Sequence, residues 1–407
     1  MKIFPFPAIR PDDNDLACSI ASLPYDVINT DEARVLAARN PDSFLRVVRS
    51  EIDLPEDTDP YAEIVYQQAR AALDALEADG RLVQEKLPLI YLYRQIMGTH
   101  AQTAIVACCR IEDYADNTIR KHEKTRSDKE DDRTSHILTT NANTGQVFLT
   151  YRDLPAIDRL VESAMLKLPV YEFVSADGVI HTVWRVANSA DFVAAFEAVP
   201  RAYIADGHHR SAASWRAGSA RRAANPQHNG SEEYNRFMAC LFPASQLQVL
   251  PYNRLLLTLN GRTPGQLLEE IGRIFTVAPT DKDAPEAARS CHMYLDGRWY
   301  RLSWEVPADA PVTETLDATV LQERLLAPLL GISDPRTDRK IEFVGGIRGT
   351  GELVRKVDVG EACLAFSMYP TSVEDIMRVA DAGEIMPPKS TWFEPKLRSG
   401  LLIHRLD

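Results

Sequence analysis

The chain has 407 residues, 45% hydrophobic and 26% charged, with Lys+Arg 46 against Asp+Glu 58 and a formal net charge of −12. Two to three domains of about 150 residues each fit that length, and both fractions sit near globular averages, which excludes wholesale disorder and collagen-like architecture. The acidic balance argues against a nucleic-acid partner, because nonspecific affinity for duplexes comes from Lys and Arg displacing counterions.

The opening MKIFPFPAIRPDDND lacks the apolar stretch of a secretory signal, and no apolar run reaches the ~20 residues of a membrane helix. The expectation is a soluble, cytoplasmic protein with no membrane partner. Leu23-Pro24-Tyr25-Asp26-Val27-Ile28 then sets a carboxylate after a rigid Pro-Tyr step, and loops of this kind are common site builders, so Asp26 is a candidate pocket residue. Residues 60–79 place Val65, Ala69, Ala72 and Leu76 on one helical face, with Gly80 where a C′ residue belongs.

PLIYLYRQ and TAIVACCRI, separated by MGTHAQ, predict a hairpin near residues 89–111. Alternation puts Cys108 and Cys109 on opposite strand faces, so they do not bond to each other. The six cysteines are scattered without a CxxC pair, and the expectation is reduced structural thiols with no zinc, haem or flavin. Residues 119–136, IRKHEKTRSDKEDDRTSH, carry six basic and five acidic side chains and almost nothing apolar. They cannot form a core element alone and read as a solvated charged loop.

DFVAAFEAV predicts a helix, RAYIA a short buried strand and SAASWRAGSARRAA a second helix, an α/β signature around Asp206-Gly207-His208-His209-Arg210. From Phe237 the chain turns strand-rich (RFMACLF, LQVLPYNRLLLTL, CHMYL, RWYRLSW), with helices at TPGQLLEEIGRIF and TVLQERLLAPLLG. Ser372 and Asp375 form a variant capping box for the helix VEDIMRVADA. The expected fold class is mixed α+β, with an N-terminal α/β domain over 1–250, an α+β domain over 251–385 and a Pro/Lys-rich segment over 386–407 packing back near the site.

Three groups carry chemistry. A strand ending in a Gly turn before a helix presents unpaired N–H groups at the positive helix end, which is an anion site. In ADGHHR the donor fork of Arg210 suits phosphate oxygens, His208 or His209 can donate or shuttle a proton, and Asp206 can hold Mg²⁺ through water. The second group is Arg120, Lys121, His122, Glu123 and Lys124 with Lys129, Asp132 and Arg133. A zincin needs a second His at 126, where this chain has Arg; what remains is a carboxylate among cations, suited to holding a polyphosphate while Glu123 deprotonates a hydroxyl. The third is DPRTDRK with FVGGIRG, and then PPKSTWFEPK, where Arg336, Arg348 and Lys389 are candidate substrate or phosphate contacts. There is no Walker A, GxGxxG or nucleophile elbow.

LPYDVI, NPDSFLRVVRSEIDLP, RKHEKTRSDKEDDR, ADGHHR, LPYNRLL, DPRTDRKIEFVGGIRG and MPPKSTWFEPKLRSG together resemble the bacterial family of domain of unknown function 1015, over nearly the whole chain. More distantly, the DGHHR box is similar to the phosphate-binding box of the ParB, sulfiredoxin and free-serine-kinase superfamily. That resemblance implies a ParB/sulfiredoxin-like nucleotide-binding core with an additional α+β C-terminal region. It also implies Glu123 as general base, Asp206 supporting metal or phosphate, and His209 with Arg210 on the transferred phosphoryl; Gly207, His208, Arg120, Lys129 and Arg133 complete the expected phosphate site, and Asp26, Arg348 and Lys389 the substrate pocket.

The expectation is a phosphotransferase using ATP or ADP with Mg²⁺ on a small hydroxyl substrate, free L-serine being the best specific choice. A non-catalytic nucleotide or metabolite sensor and a small-molecule phosphohydrolase are the alternatives. Whether the chain forms a homo-oligomer is left open.

Overall fold

The computed structural model describes residues 1–307 and 309–407. The protein is mixed α+β, and its contacts divide it into two units, residues 1–247 with 395–407, and residues 248–394.

The first unit is built on a nine-stranded mixed sheet. Its strand order is Ile119–Arg120, Ala202–Asp206, Val147–Tyr151, Arg236–Pro243, His100–Arg110, Ile90–Met97, Ile180–Val186 and Tyr171–Val174. Ile3–Phe4 pairs with the end of His100–Arg110. The expected hairpin is present, but its two strands continue to Met97 and His100, which pair with each other. Only Gly98 and Thr99 turn the chain, with Gly98 at φ +59°.

Alternation sorts the strands into two buried faces. Ile105, Ala107 and Cys109 join Val147, Leu149, Phe237 and Leu241 in a core covered by Phe192 and Phe196 of the helix Ser189–Phe196 and by Ile157 and Val161 of the helix Pro155–Met165. Cys108 lies on the opposite face, and both thiols are fully buried and free. That second face carries Tyr91, Tyr93 and Phe148, and in the same alternation the polar Gln95 and Gln102, both fully buried.

The helix expected near 60–79 runs Glu63–Ala78, with Gly80 at φ +73° just beyond it. The charged stretch after residue 119 departs from the sequence reading. Residues 121–126 are a loop as read, but Ser127–Thr140 is an α-helix, opening with Asp128 and Glu130 in the first turn, where carboxylates favour the helix dipole. Its buried face is Asp132, His136, Ile137 and Thr140. Asp132 accepts from the Tyr66 hydroxyl at 3.1 Å and pairs with Arg133 at 2.9 Å, while His136 Nε2 meets the Val47 carbonyl at 2.9 Å. A face of satisfied polar groups replaces an apolar stripe.

The second unit holds an antiparallel six-stranded sheet in the order Thr276–Thr280, Arg298–Ser303, Ser290–Leu295, Leu364–Met368, Tyr252–Leu256 and Ile341–Gly345. Leu267 and Ile271 of the helix Pro264–Ile271 pack on one face and Leu353 of Gly351–Asp358 on the other. The expected helix at TVLQERLLAPLLG runs Asp317–Leu321 and then widens into π-helical turns over Gln322–Leu326, just before Pro328, which has no N–H to continue an α-helical ladder. Ser372 caps Val373–Asp381 as expected, accepting from the Asp375 amide at 3.0 Å. No helix among the described residues is long and apolar enough to cross a membrane.

Candidate functional site

The DGHHR segment sits where Ala202–Asp206 ends and the helix His208–Ala224 begins. Ile204 pairs with Leu149 but Asp206 pairs with Phe148, so Ala205 is an extra residue, a β-bulge. The bulge reverses the side to which Asp206 points, moving its carboxylate off the apolar core face of Ile204. Gly207 is the N-cap at φ +99°, a left-handed conformation that side-chain-bearing residues rarely adopt. The first intrahelical bond runs from Ser211 N–H to the Gly207 carbonyl at 2.9 Å, so the amides of His208, His209 and Arg210 precede the ladder at the positive end of a 17-residue helix.

Two cations converge on Asp206. Lys396 Nζ lies 3.0 Å from Oδ2, and Arg210 Nη2 lies 3.3 Å from Oδ1. Burial by itself would raise the Asp206 pKa; Lys396 first and Arg210 next outweigh it and hold the carboxyl well below the usual carboxylate range. Arg210 also donates to the Gln146 carbonyl and stands 3.5 Å from Asp26 Oδ2. A Cβ on Gly207 would come within 3.1 Å of Arg210 Nε, so the glycine admits the guanidinium as well as the turn.

Lys396 was not legible in the sequence as a site residue; the structure supplies it. The polar end of the second sheet face holds its backbone, Gln95 Nε2 donating to the Lys396 carbonyl at 2.9 Å and Gln102 Nε2 to that of Pro395 at 3.4 Å.

Beside the box, Glu123 Oε2 lies 3.8 Å from His208 Nδ1. His122 packs edge-on against His208, ring centroids 4.5 Å apart. His122 is 1% and His208 5% exposed, and neither nitrogen of His122 nor Nε2 of His208 has a hydrogen-bond partner among the described residues. Burial pushes His122 down to about 4 and His208 well below its ordinary value, so both rings are neutral near pH 7. His209 accepts from the Arg126 backbone N–H through Nε2 at 3.1 Å, which leaves the proton on Nδ1 and ties the loop after Glu123 to the helix start.

Glu123, His208, His209, Asp206, Gly207, Arg210 and Asp26 are thus brought together. Arg120 lies in the strand parallel to Ala202–Asp206, opposite Tyr203, with its Nε buried and without a partner among the described residues. Arg133 reaches Tyr25, its guanidinium 4.2 Å over the ring. Lys129 hydrogen-bonds the Tyr61 hydroxyl at 2.8 Å, and its charge still bears on His209 of the box. Arg348 and Lys389 belong to the second unit: Arg348 ends an exposed 3₁₀ turn, and Lys389, at φ +56°, sets its ammonium 5.5 Å from the Tyr252 ring centre.

The donor set does not fit a Mg²⁺ held by Asp206, since both its oxygens are taken by cations. No group of three His, Cys, Asp or Glu among the described residues is placed to hold a metal ion. As placed, Asp206 is a charge anchor for Lys396 and Arg210.

A family model described as protein of unknown function DUF1015 matches residues 3–319. No curated protein matches the chain. Among solved structures it is similar, at 12% identity and a TM-score of 0.37, to a free serine kinase in complex with AMP, covering 73% of this chain and 91% of that one. A conserved hypothetical protein from Pyrococcus furiosus gives 12% and 0.36, covering 74% and 95%. C-terminally truncated SbnI from Staphylococcus aureus gives 12% and 0.38, covering 74% and 87%.

Proposed function

The chain belongs to the DUF1015 family, whose description states no function, and from that premise we propose that it is a nucleotide-dependent phosphotransferase acting on a small hydroxyl substrate. The observation that carries this reading is the convergence, at one helix N-terminus, of amides that precede the helical ladder, two cations on Asp206 and an exposed carboxylate, Glu123, beside buried His208. Phosphoryl transfer needs positioning and electrostatic stabilisation more than covalent chemistry, and this arrangement supplies both.

The amides of His208, His209 and Arg210 receive the phosphoryl oxygens, and Arg210 and Lys396 offset the charge. Glu123 takes the proton of the acceptor hydroxyl as its oxygen attacks phosphorus. The bond to the leaving nucleotide oxygen breaks, giving a phosphomonoester and a nucleotide one phosphate shorter, and Glu123 returns its proton to solvent. Any divalent cation in this reading arrives as the nucleotide's own metal complex and is not held by Asp206. The likeness of the DGHHR box to that of the free-serine kinases makes L-serine the acceptor of choice.

Nucleotide titration beside a turnover assay, in the wild type and in Glu123→Gln, tests the reading. It predicts that the variant keeps the nucleotide affinity within about threefold and loses turnover by a factor of about 100 or more. Binding without turnover in the wild type contradicts it in favour of a sensor, and phosphate release from a phosphoester without an acceptor contradicts it in favour of a hydrolase.

A further inference from the structure

Beside Arg210 the first unit holds a partly open cavity of about 30 Å³. A water needs ~10–15 Å³ of such space, so the cavity admits two or three waters or a group of that size. A carboxylate fits.

Its wall is one-sided in charge. Arg133 and Arg210 line it, with side chains 13% and 11% exposed. Tyr25, Asn143, Thr144 and Ser399 supply neutral polar groups, and no Asp or Glu lines it among the described residues. The acidic partners of the two arginines, Asp132 for Arg133 and Asp206 and Asp26 for Arg210, all stand outside the lining. His136 also lines the cavity but is neutral, held down to about 3 by burial and engaged by the Val47 carbonyl. Asp26 and Asp132 bear on the Tyr25 phenol from outside the lining, as both guanidiniums do, and its hydroxyl has no hydrogen bond within the protein among the described residues. The donors present, the Arg133 fork and the Tyr25 phenol, are those that recognise a planar carboxylate.

We propose that this cavity is the carboxylate pocket of the phosphoryl acceptor, and that the acceptor class is therefore small hydroxy acids and hydroxy amino acids rather than simple alcohols, sugars or nucleosides. The proposal rests on the phosphotransferase reading for its acceptor. Arg210 is the link: its stem lines the cavity while its head meets Asp206, so a carboxylate seated here is one side chain's width from the phosphate box. The small volume requires a compact acceptor, with its hydroxyl only a few bonds from the carboxylate.

The test compares acceptors in the wild-type protein: L-serine, ethanolamine, which keeps the hydroxyl and amine but lacks the carboxylate, and glycine, which keeps the carboxylate but lacks the hydroxyl. The expected result is a KM at least tenfold higher for ethanolamine than for serine, with glycine competing against serine. Arg133→Met should raise the serine KM at least tenfold and leave the ethanolamine KM within about twofold. Ethanolamine serving as well as serine, or Arg133→Met affecting both acceptors equally, would overturn the pocket while sparing the phosphotransferase reading.

Where no acceptor is turned over, the carboxyl resonance of [1-¹³C]glycine is followed with wild type and with Arg133→Met. A shift seen only with the wild type upholds a carboxylate site and counts against the phosphotransferase. No shift with the wild type overturns the pocket. The wild-type arms stand whether or not the variant folds.

Discussion

Gly207 is the residue at which backbone and chemistry meet. Its φ of +99° and the 3.1 Å approach a Cβ would make to Arg210 Nε act together: a side chain there strains the turn and displaces the guanidinium. Gly207→Ala is expected to cost about 1–3 kcal/mol of stability, read from the urea midpoint, and to weaken nucleotide binding at least tenfold by titration. Lys396 is the complementary case. Lys396→Met leaves Asp206 with Arg210 alone, so its carboxyl pKa should rise, and a charge-assisted hydrogen bond between side chains only 13% and 24% exposed contributes about 1.5–3 kcal/mol. The measurement is turnover beside thermal stability, with Lys396→Arg restoring part of both. The box was legible because Gly between a strand and a helix is a local signal. Lys396 was not: its partner lies 190 positions away, and nothing local separates it from Lys389, the lysine seven residues earlier that the Pro-rich stretch brings equally to notice.

At the scale of elements, apolar periodicity located the helix Glu63–Ala78, the hairpin strands and the helix His208–Ala224, and it failed at Ser127–Thr140. That helix buries Asp132, His136 and Thr140 beside a single apolar residue, Ile137; Thr140 donates to the His136 carbonyl one turn back, whereas Asp132 and His136 are satisfied by partners that sequence cannot place, Tyr66 and the Val47 carbonyl. The bulge at Ala205 was equally invisible, because register is a property of strand pairs. These buried rings predict an acid sensitivity. His122 and His136 titrate in the folded state near 4 and 3 against about 6.5 in an unfolded chain. The unfolded state therefore binds more protons as pH falls below about 6.5, and stability declines through the window from 6.5 toward 4 and 3. Urea midpoints should drop between pH 7 and pH 5, above the ordinary carboxylate range, and His136→Gln should flatten that slope. A midpoint constant over this interval would contradict neutral buried histidines.

For the whole molecule, the chain folds its first unit from two pieces, residues 1–247 and 395–407. The terminal piece buries Leu397, Leu401, Leu402, Ile403 and Leu406, all at 3% exposure or less. At about 1.5–3 kcal/mol each, these five side chains rival the typical ~5–15 kcal/mol that holds a domain together. Truncation after Glu394 should therefore abolish the cooperative melting of the first unit by circular dichroism, as well as removing Lys396. The mixed α+β class and the strand-rich character beyond residue 250 followed from composition and pattern. Packing of the terminal segment back near the site is expected from the sequence, but the pairings of Gln95 and Gln102 with the carbonyls of Lys396 and Pro395 are ones that no pattern announces.

The central claim is that Glu123 and the DGHHR box form one phosphotransferase site. A phosphorus NMR time course of the purified protein with ATP or ADP, Mg²⁺ and L-serine tests it most directly, with no-serine and Glu123→Gln controls. The account predicts a new phosphomonoester resonance that requires serine and vanishes in the variant. Nucleotide consumption that is indifferent to serine, or a phosphomonoester signal undiminished in Glu123→Gln, would contradict it.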